Sequence, residues 1–173
     1  VVAKTENAHF NLCKTFSNHD LDRRYEAIVW GQPKDIGVIE KNIGRSPYNR
    51  KKMAISIRGK IAKTKWKVID IYAPLGSLIE CKLETGRTHQ IRVHLSDIGH
   101  SVIGDDLYGK PLSEKRLKNY SYKAKIQVIK SFKRQALHAT KLSFSHPITN
   151  KYLEFTSPLP KEMIDLIEIL KNK

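Results

Sequence analysis

The chain has 173 residues with 32 Lys and Arg against 17 Asp and Glu, a formal net charge of +15 at pH 7, and a sequence pI near 9.8. That length supports one domain with a real core and is short for two. The surplus concentrates polyanions, so nucleic acid or an anionic membrane surface is the expected partner class; no apolar run reaches bilayer-spanning length and no segment resembles a signal peptide.

In chain order, the opening V-V-A-K reads as the end of a strand already under way, so a preceding segment of the same domain is expected. Ala8, Leu12 and Phe16, spaced i, i+4, i+8, predict a short helix over Asn7–Ser17 that closes near Asn18. A strand follows at Arg24–Trp30, its alternation placing Tyr25, Ala27 and Val29 on one face and Ile28 and Trp30 on the other. Pro33–Lys52 reads as a loop or weak hairpin rich in basic groups. Met53–Ile57, Trp66–Tyr72 and Leu78–Leu83 alternate as strands, and consecutive strands favour antiparallel pairing. Gly99, Gly104 and Gly109 punctuate a loop holding Asp105, Asp106 and Tyr108. Lys110–Arg134 is strongly basic, with Tyr120, Tyr122 and Phe132 interleaved; it either lies along RNA or is anchored by its aromatics to the core. Gln135–Phe144 and Tyr152–Phe155 are two further strands, and Met163, Leu166, Ile167 and Leu170 form the core stripe of a closing helix over Pro160–Leu170. Cys13 and Cys81 lack close metal-ligand spacing and lie in apolar patterns, which suits reduced thiols in a cytoplasmic protein. There is no internal repeat.

Glu84–Leu95, E-T-G-R-T-H-Q-I-R-V-H-L, is the most informative stretch. Thr85-Gly86 separates a strand from a run with helical spacing at Ile91, Leu95 and Ile98, predicting a helix from about Thr88 to Ile98. Backbone N–H groups at such a start, together with the Arg87 fork, favour an anion. His89 and Arg92 share one helix face while the apolar residues line another. An amphipathic helix with a solvated basic side explains the composition equally well.

These residues resemble the RluA-type pseudouridine synthases. The resemblance covers essentially the whole chain and is most specific over E-T-G-R-T-H-Q-I-R-V-H-L and G-H-S-V-I-G-D-D-L-Y-G, Glu84 to Gly109. R-Y-E-A-I-V-W-G at Arg24–Gly31, L-H-A-T-K-L-S-F-S-H-P at Leu137–Pro147 and F-T-S-P-L-P at Phe155–Pro160 support it. It implies an α+β catalytic domain, with a mostly antiparallel mixed sheet and flanking helices, that isomerises uridine to pseudouridine in structured RNA. Large-subunit ribosomal RNA is the leading substrate and transfer RNA a further one. No cofactor or metal is implied; a cytoplasmic monomer is expected, with no membrane partner.

By the resemblance, Tyr25 is the active-site tyrosine that stacks on the target base and is implicated in proton removal. Arg92 is the buried arginine that pairs with a catalytic aspartate. Arg87, Thr88, His89 and Gln90 contact the RNA backbone, and Leu137 lines the uracil pocket. The family's aspartate lies in an H-R-L-D segment that does not occur in this sequence. Asp20, Asp22, Asp105 and Asp106 are not in the matching context. The expectation is therefore a single catalytic domain over residues 1–173, truncated or incompletely observed at its N-terminus and inactive in isolation, with Arg92 left as a lone cation in a cleft. Two other classes compete: a noncatalytic RNA-binding module built on this fold, and a basic hydrolase using Asp105 and Asp106 with histidines.

Overall fold

The computed structural model describes residues 1–18, 21–112 and 122–172. Helix α1 (Glu6–Ser17) starts where the Thr5 hydroxyl accepts a hydrogen bond from Ala8 N, and it ends where Asn18 N donates to Lys14 O. The predicted apolar stripe is present, yet none of the helix is buried and Phe10 is 71% exposed.

The strands are β1 (Leu21–Trp30), β2 (Ile36–Glu40), β3 (Ile43–Arg45), β4 (Met53–Ile55), β5 (Lys63–Tyr72), β6 (Gly76–Leu83), β7 (Leu137–Ser145) and β8 (Tyr152–Thr156); the remaining helices are α2 (Gln90–Asp97), α3 (Lys123–Lys130) and α4 (Lys161–Lys171). Six strands form one sheet in the order β2-β5-β6-β1-β7-β8, while β3 and β4 form a separate two-stranded ribbon. Every strand pairing is antiparallel, as consecutive strands suggested.

The predicted alternation of β1 holds, but its second half, Ala27 to Trp30, is buried residue after residue. A strand buried at successive positions is covered on both faces. Ile28, Ile79, Leu95, Ile103, Met163 and Leu166 are among the largest fully buried side chains of the core. The α4 stripe enters it as expected, with Met163, Leu166 and Leu170 buried and Ile167 partly so.

Several elements depart from the sequence reading. The opening V-V-A-K, read as the end of a strand, belongs to no strand. The stretch read as a loop or weak hairpin contains β2, an edge strand whose Ile36 and Val38 stay exposed while Ile39 is buried. It is held through Gly37, which lies against the Trp66 indole where a Cβ would overlap the ring. Gly and a short polar flank hide such an edge strand from pattern reading. In the basic Lys110–Arg134 segment, α3 was not foreseen. Tyr122 and Phe132 pack on the core and Ile129 is fully buried, which favours the anchoring reading for those aromatics. Tyr120 lies outside the described residues.

Helix α2 is fastened to the sheet by a buried polar chain. Gln90 Nε2 donates to Thr64 Oγ1 (3.0 Å), Thr64 Oγ1 bonds His94 Nδ1 (2.9 Å), and His94 Nε2 faces Lys41 O (3.2 Å). With Thr64 donating to Nδ1 and Nε2–H donating to the carbonyl, every group is satisfied by a neutral imidazole. Burial, opposed in part by the Lys41 carbonyl, pushes His94 below its ordinary value. An unfolded histidine titrates near about 6.5, so the unfolded chain takes up the proton first and the fold loses stability as pH drops below that value toward the folded pKa. His94→Asn is therefore expected to unfold more easily at neutral pH but with a shallower loss of stability between about pH 7 and 5; urea titrations of both proteins at the two pH values measure the difference.

Candidate functional site

The motif Thr85–Arg92 lies between β6 and α2, but the helix begins later than predicted: Thr88 and His89 belong to the preceding turn and α2 starts at Gln90. His89 caps it in the left-handed region, with φ 57° and ψ 21°. Such a backbone is costly for a non-glycine residue and persists only where surroundings fix it. Gln90 supplies much of that fixing. Its Oε1 accepts from Thr85 Oγ1 (2.8 Å) and Arg87 N (2.9 Å), and its Nε2 donates to Lys63 O and Thr64 Oγ1, both at 3.0 Å. Expected to touch RNA, the Gln90 side chain is instead buried and committed inside the protein, because closing this turn uses all of its amide. Thr88 is exposed, while Arg87 is half-buried with its Nε donating to Ile61 O at 3.0 Å.

The expected shared face of His89 and Arg92 is realised at Tyr108. The Arg92 guanidinium lies 4.9 Å from the centre of the Tyr108 ring, and the His89 ring meets it edge-on at 5.6 Å. Tyr108 Oη accepts from Met53 N (2.8 Å) and lies 2.9 Å from His89 Nδ1, a bond in which the hydroxyl donates when Nδ1 is bare and accepts when Nδ1 carries the hydrogen. Burial and then the Arg92 charge lower the His89 pKa, which favours the neutral ring.

Arg92 is not a lone cation. Its Nε and Nη2 donate to Asp105 Oδ2 and Oδ1, both at 2.7 Å, and the Asp105 side chain is 0% exposed. Burial alone would raise the Asp105 pKa, but the Arg92 hydrogen bonds, with those from Tyr108 N and Leu107 N, bring it below the ordinary carboxylate value. A bidentate pair of this kind fixes the guanidinium plane and leaves Nη1 uncommitted among the described residues. The loop that delivers Asp105 turns at Gly104, whose φ is +73° and whose Cα faces the Arg134 carbonyl so closely that a Cβ would collide with it. Sequence reasoning passed over Asp105 as a partner. The available signal was its spacing to Tyr108: Asp105 Oδ1 accepts from Leu107 N and Tyr108 N (3.0 Å each), an Asx turn that local sequence encodes.

With Asp105 locked onto Arg92 and no group of three His, Cys, Asp or Glu placed around a common point among the described residues, the hydrolase alternative has no assembled centre.

Tyr25 and Leu137 come together on the sheet. Tyr25 pairs with Ala139 and Ala27 with Leu137, so the tyrosine and the leucine are diagonal neighbours on one face. Both are partly buried against the core. Between the pairs Arg24–Lys141 and Tyr25–Ala139 the register slips, Thr140 being the extra residue of β7, and its Oγ1 donates to Arg24 O at 3.3 Å. Bulges of this type re-aim side chains near active sites. On that face an aromatic and an aliphatic side chain lie side by side. Elsewhere on the same domain, a neutral imidazole and an oriented guanidinium are available to anionic groups.

Comparison with known proteins agrees with these motifs. Residues 1–97 match the family described as RNA pseudouridylate synthase. The ribosomal large subunit pseudouridine synthase D of Zymomonas mobilis is 47% identical over 98% of the chain and 51% of its own length. That of Escherichia coli K12 is 37% identical over 99% of the chain and 51% of its own length. The chain thus spans about half the length of the curated relatives it matches. Among solved structures, human RNA pseudouridylate synthase domain containing 4 superposes with a TM-score of 0.75 at 22% identity, covering 96% of this chain and 69% of that one, and shares the fold. A match over the first 97 residues, from the opening helix through the Thr85–Arg92 turn, together with the shared fold, makes this chain a member of the RNA pseudouridylate synthase family.

Proposed function

We propose that residues 1–173 belong to a catalytic domain, truncated or incompletely observed at its N-terminus, whose full-length protein converts uridine to pseudouridine in structured RNA, with large-subunit ribosomal RNA as the leading substrate and transfer RNA as a further one. The observation that carries this reading is the diagonal placement of Tyr25 and Leu137 on one sheet face, in a family whose relatives bear the name of that reaction. In this reading the target base stacks on Tyr25 and is held from the side by Leu137. Stacking supplies about 1–3 kcal/mol per base, while flipping a base out of a helix costs a few kcal/mol, so contacts to the backbone make up the difference. Arg87, Thr88 and His89 are suited to phosphate, and Gln90 serves them indirectly by holding the turn closed.

The reaction breaks the glycosidic bond, rotates the bound uracil and rejoins it through carbon. It is begun by an aspartate from the H-R-L-D pattern, which this reading takes to come from outside the 173 residues. Arg92, oriented by Asp105, offers its Nη1 to that carboxylate and keeps it ionised once water has left the pocket. Tyr25 takes part in removing the proton from the ring. No metal or cofactor is required. A cytoplasmic monomer suits such an enzyme, and no helix among the described residues is long and apolar enough to cross a membrane.

The test is pseudouridine mapping with a base-specific chemical probe on unmodified large-subunit ribosomal RNA after incubation with the full-length protein. New pseudouridine at a defined position is expected. RNA binding with no conversion would replace this reading with the noncatalytic module.

A further inference from the structure

The two neighbouring arginines of β1 have opposite fates. Arg24 points to the outer face and is paired with Asp22 (3.1 Å) and Glu80 (3.3 Å). Arg23 points to the other face, the one that carries Tyr25, since side chains two apart on a strand share a side. There its Nε and Nη2 are closed off from solvent and have no hydrogen-bond partner among the described residues. The guanidinium lies against Gly86, Nη1 foremost: a Cβ on that glycine would lie 3.2 Å from Cζ, 3.3 Å from Nη2 and nearer still to Nη1. Gly86 is thus the space into which Arg23 folds, and Gly86 belongs to the same Thr85–Arg87 turn as the candidate phosphate contacts.

A guanidinium does not discharge under ordinary conditions, so two buried nitrogens whose N–H groups have no acceptor among the described residues are an unmet demand for an anion. Burial lowers the Arg23 pKa, with the nearby Tyr25 opposing that shift. No carboxylate among the described residues is paired with it. Sequence neighbours on the same strand face lie about 7 Å apart, which suits one residue holding a base while the other holds the backbone beside it.

We propose that Arg23 is an RNA-binding residue that takes the phosphate next to the base stacked on Tyr25, its fork leaving Gly86 to grip the anion. This rests on the pseudouridine synthase reading and assigns part of the substrate grip to a residue outside the Thr85–Arg92 motif. The planar fork suits a phosphate bidentately, and the long side chain can swing out from the glycine without backbone movement.

The experiment compares the full-length protein with Arg23→Gln, Arg23→Lys and Arg24→Gln. Each is titrated with a fluorescein-labelled RNA stem-loop carrying one loop uridine, across roughly 50 to 200 mM KCl, and its steady-state kinetics of pseudouridine formation are measured on the same RNA. Arg23→Gln is expected to reduce the slope of log K against log salt by about one and to raise KM about tenfold with kcat nearly unchanged. Arg23→Lys should keep the slope and bind more weakly than wild type, because the charge remains and the fork is lost. Arg24→Gln, which removes the same charge from the opposite face, should leave the slope as it is. A wild-type slope and KM in Arg23→Gln, whether or not its melting temperature falls, overturns the proposal. If Arg23→Gln does not fold, a Lys variant with wild-type affinity overturns it equally. Absence of pseudouridine from the wild-type reaction would sink the functional reading instead, and the binding slopes would still decide whether Arg23 holds a phosphate.

Discussion

Asp105→Asn should lower the stability of this domain by about 3–5 kcal/mol, because it removes one member of a buried ion pair and leaves the other charged. The side chains involved are 0% exposed for Asp105 and 13% for Arg92, so water cannot replace the lost carboxylate. The effect should extend to activity. With the carboxylate gone, nothing fixes the plane of Arg92 against the Tyr108 ring, and a misplacement near 1 Å is enough to reduce pseudouridine formation on the order of a hundredfold. A double variant, Asp105→Leu with Arg92→Met, separates the two effects: it should recover most of the stability, since an apolar pair of similar size replaces a buried ion pair at little cost, and recover none of the activity. Urea denaturation and a single-turnover assay on the same preparations measure both. The pair also predicts a pH effect. The Asp105 pKa is depressed in the fold, so its contribution is complete above the unfolded carboxylate value of about 3.9 and is lost as pH falls through the lower folded value. The single variant should therefore lack part of the acid-side slope of the wild type. Equal stability of Asp105→Asn and wild type would mean that the ion pair is not the anchor described.

The second large effect is expected at Tyr25. Tyr25→Phe keeps the ring beside Leu137 but removes the hydroxyl, so RNA affinity should change by less than about threefold, with pseudouridine formation slowed by roughly 10²–10⁴, the usual range for loss of a positioned proton acceptor. Tyr25→Leu removes the aromatic face as well and should weaken binding by a further 1–3 kcal/mol or so. The contrast between the two variants is the informative quantity. Full activity in Tyr25→Phe would exclude the hydroxyl from proton transfer and reduce the residue to a stacking surface. Equal affinity in Phe and Leu variants would exclude the stacking.

Several features were legible before any coordinates. Period-two runs marked β1, β5, β6 and β7, and the stripe at Met163, Leu166 and Leu170 marked α4, because these segments turn apolar side chains toward the core at a spacing that the sequence records, while β8 was marked by its strand-forming residues although most of it is exposed. Family membership was legible for a similar reason: the Glu84–Gly109 string is dense in residues whose exact type matters to the turn it forms. Edge strand β2 was not legible, since one of its contacts with the sheet is a glycine under a tryptophan and two of its three apolar side chains, Ile36 and Val38, face out. Neither was the start of α2, which depends on Gln90 reaching back to Thr85 and Arg87 and across to Lys63 and Thr64.

The sequence by itself determined the chemistry available: a basic chain, a tyrosine on a strand, and a turn carrying Arg87 and His89 ahead of a helix that carries Arg92. Only the tertiary structure decided how those charges are spent. It paired Arg92 with Asp105, thirteen residues away along the chain, turned Arg24 outward to its acids, and left Arg23 folded on Gly86 without one. Pairing of charges depends on distances between elements that no local pattern records, whereas burial of apolar faces follows from periodicities that each element carries within itself.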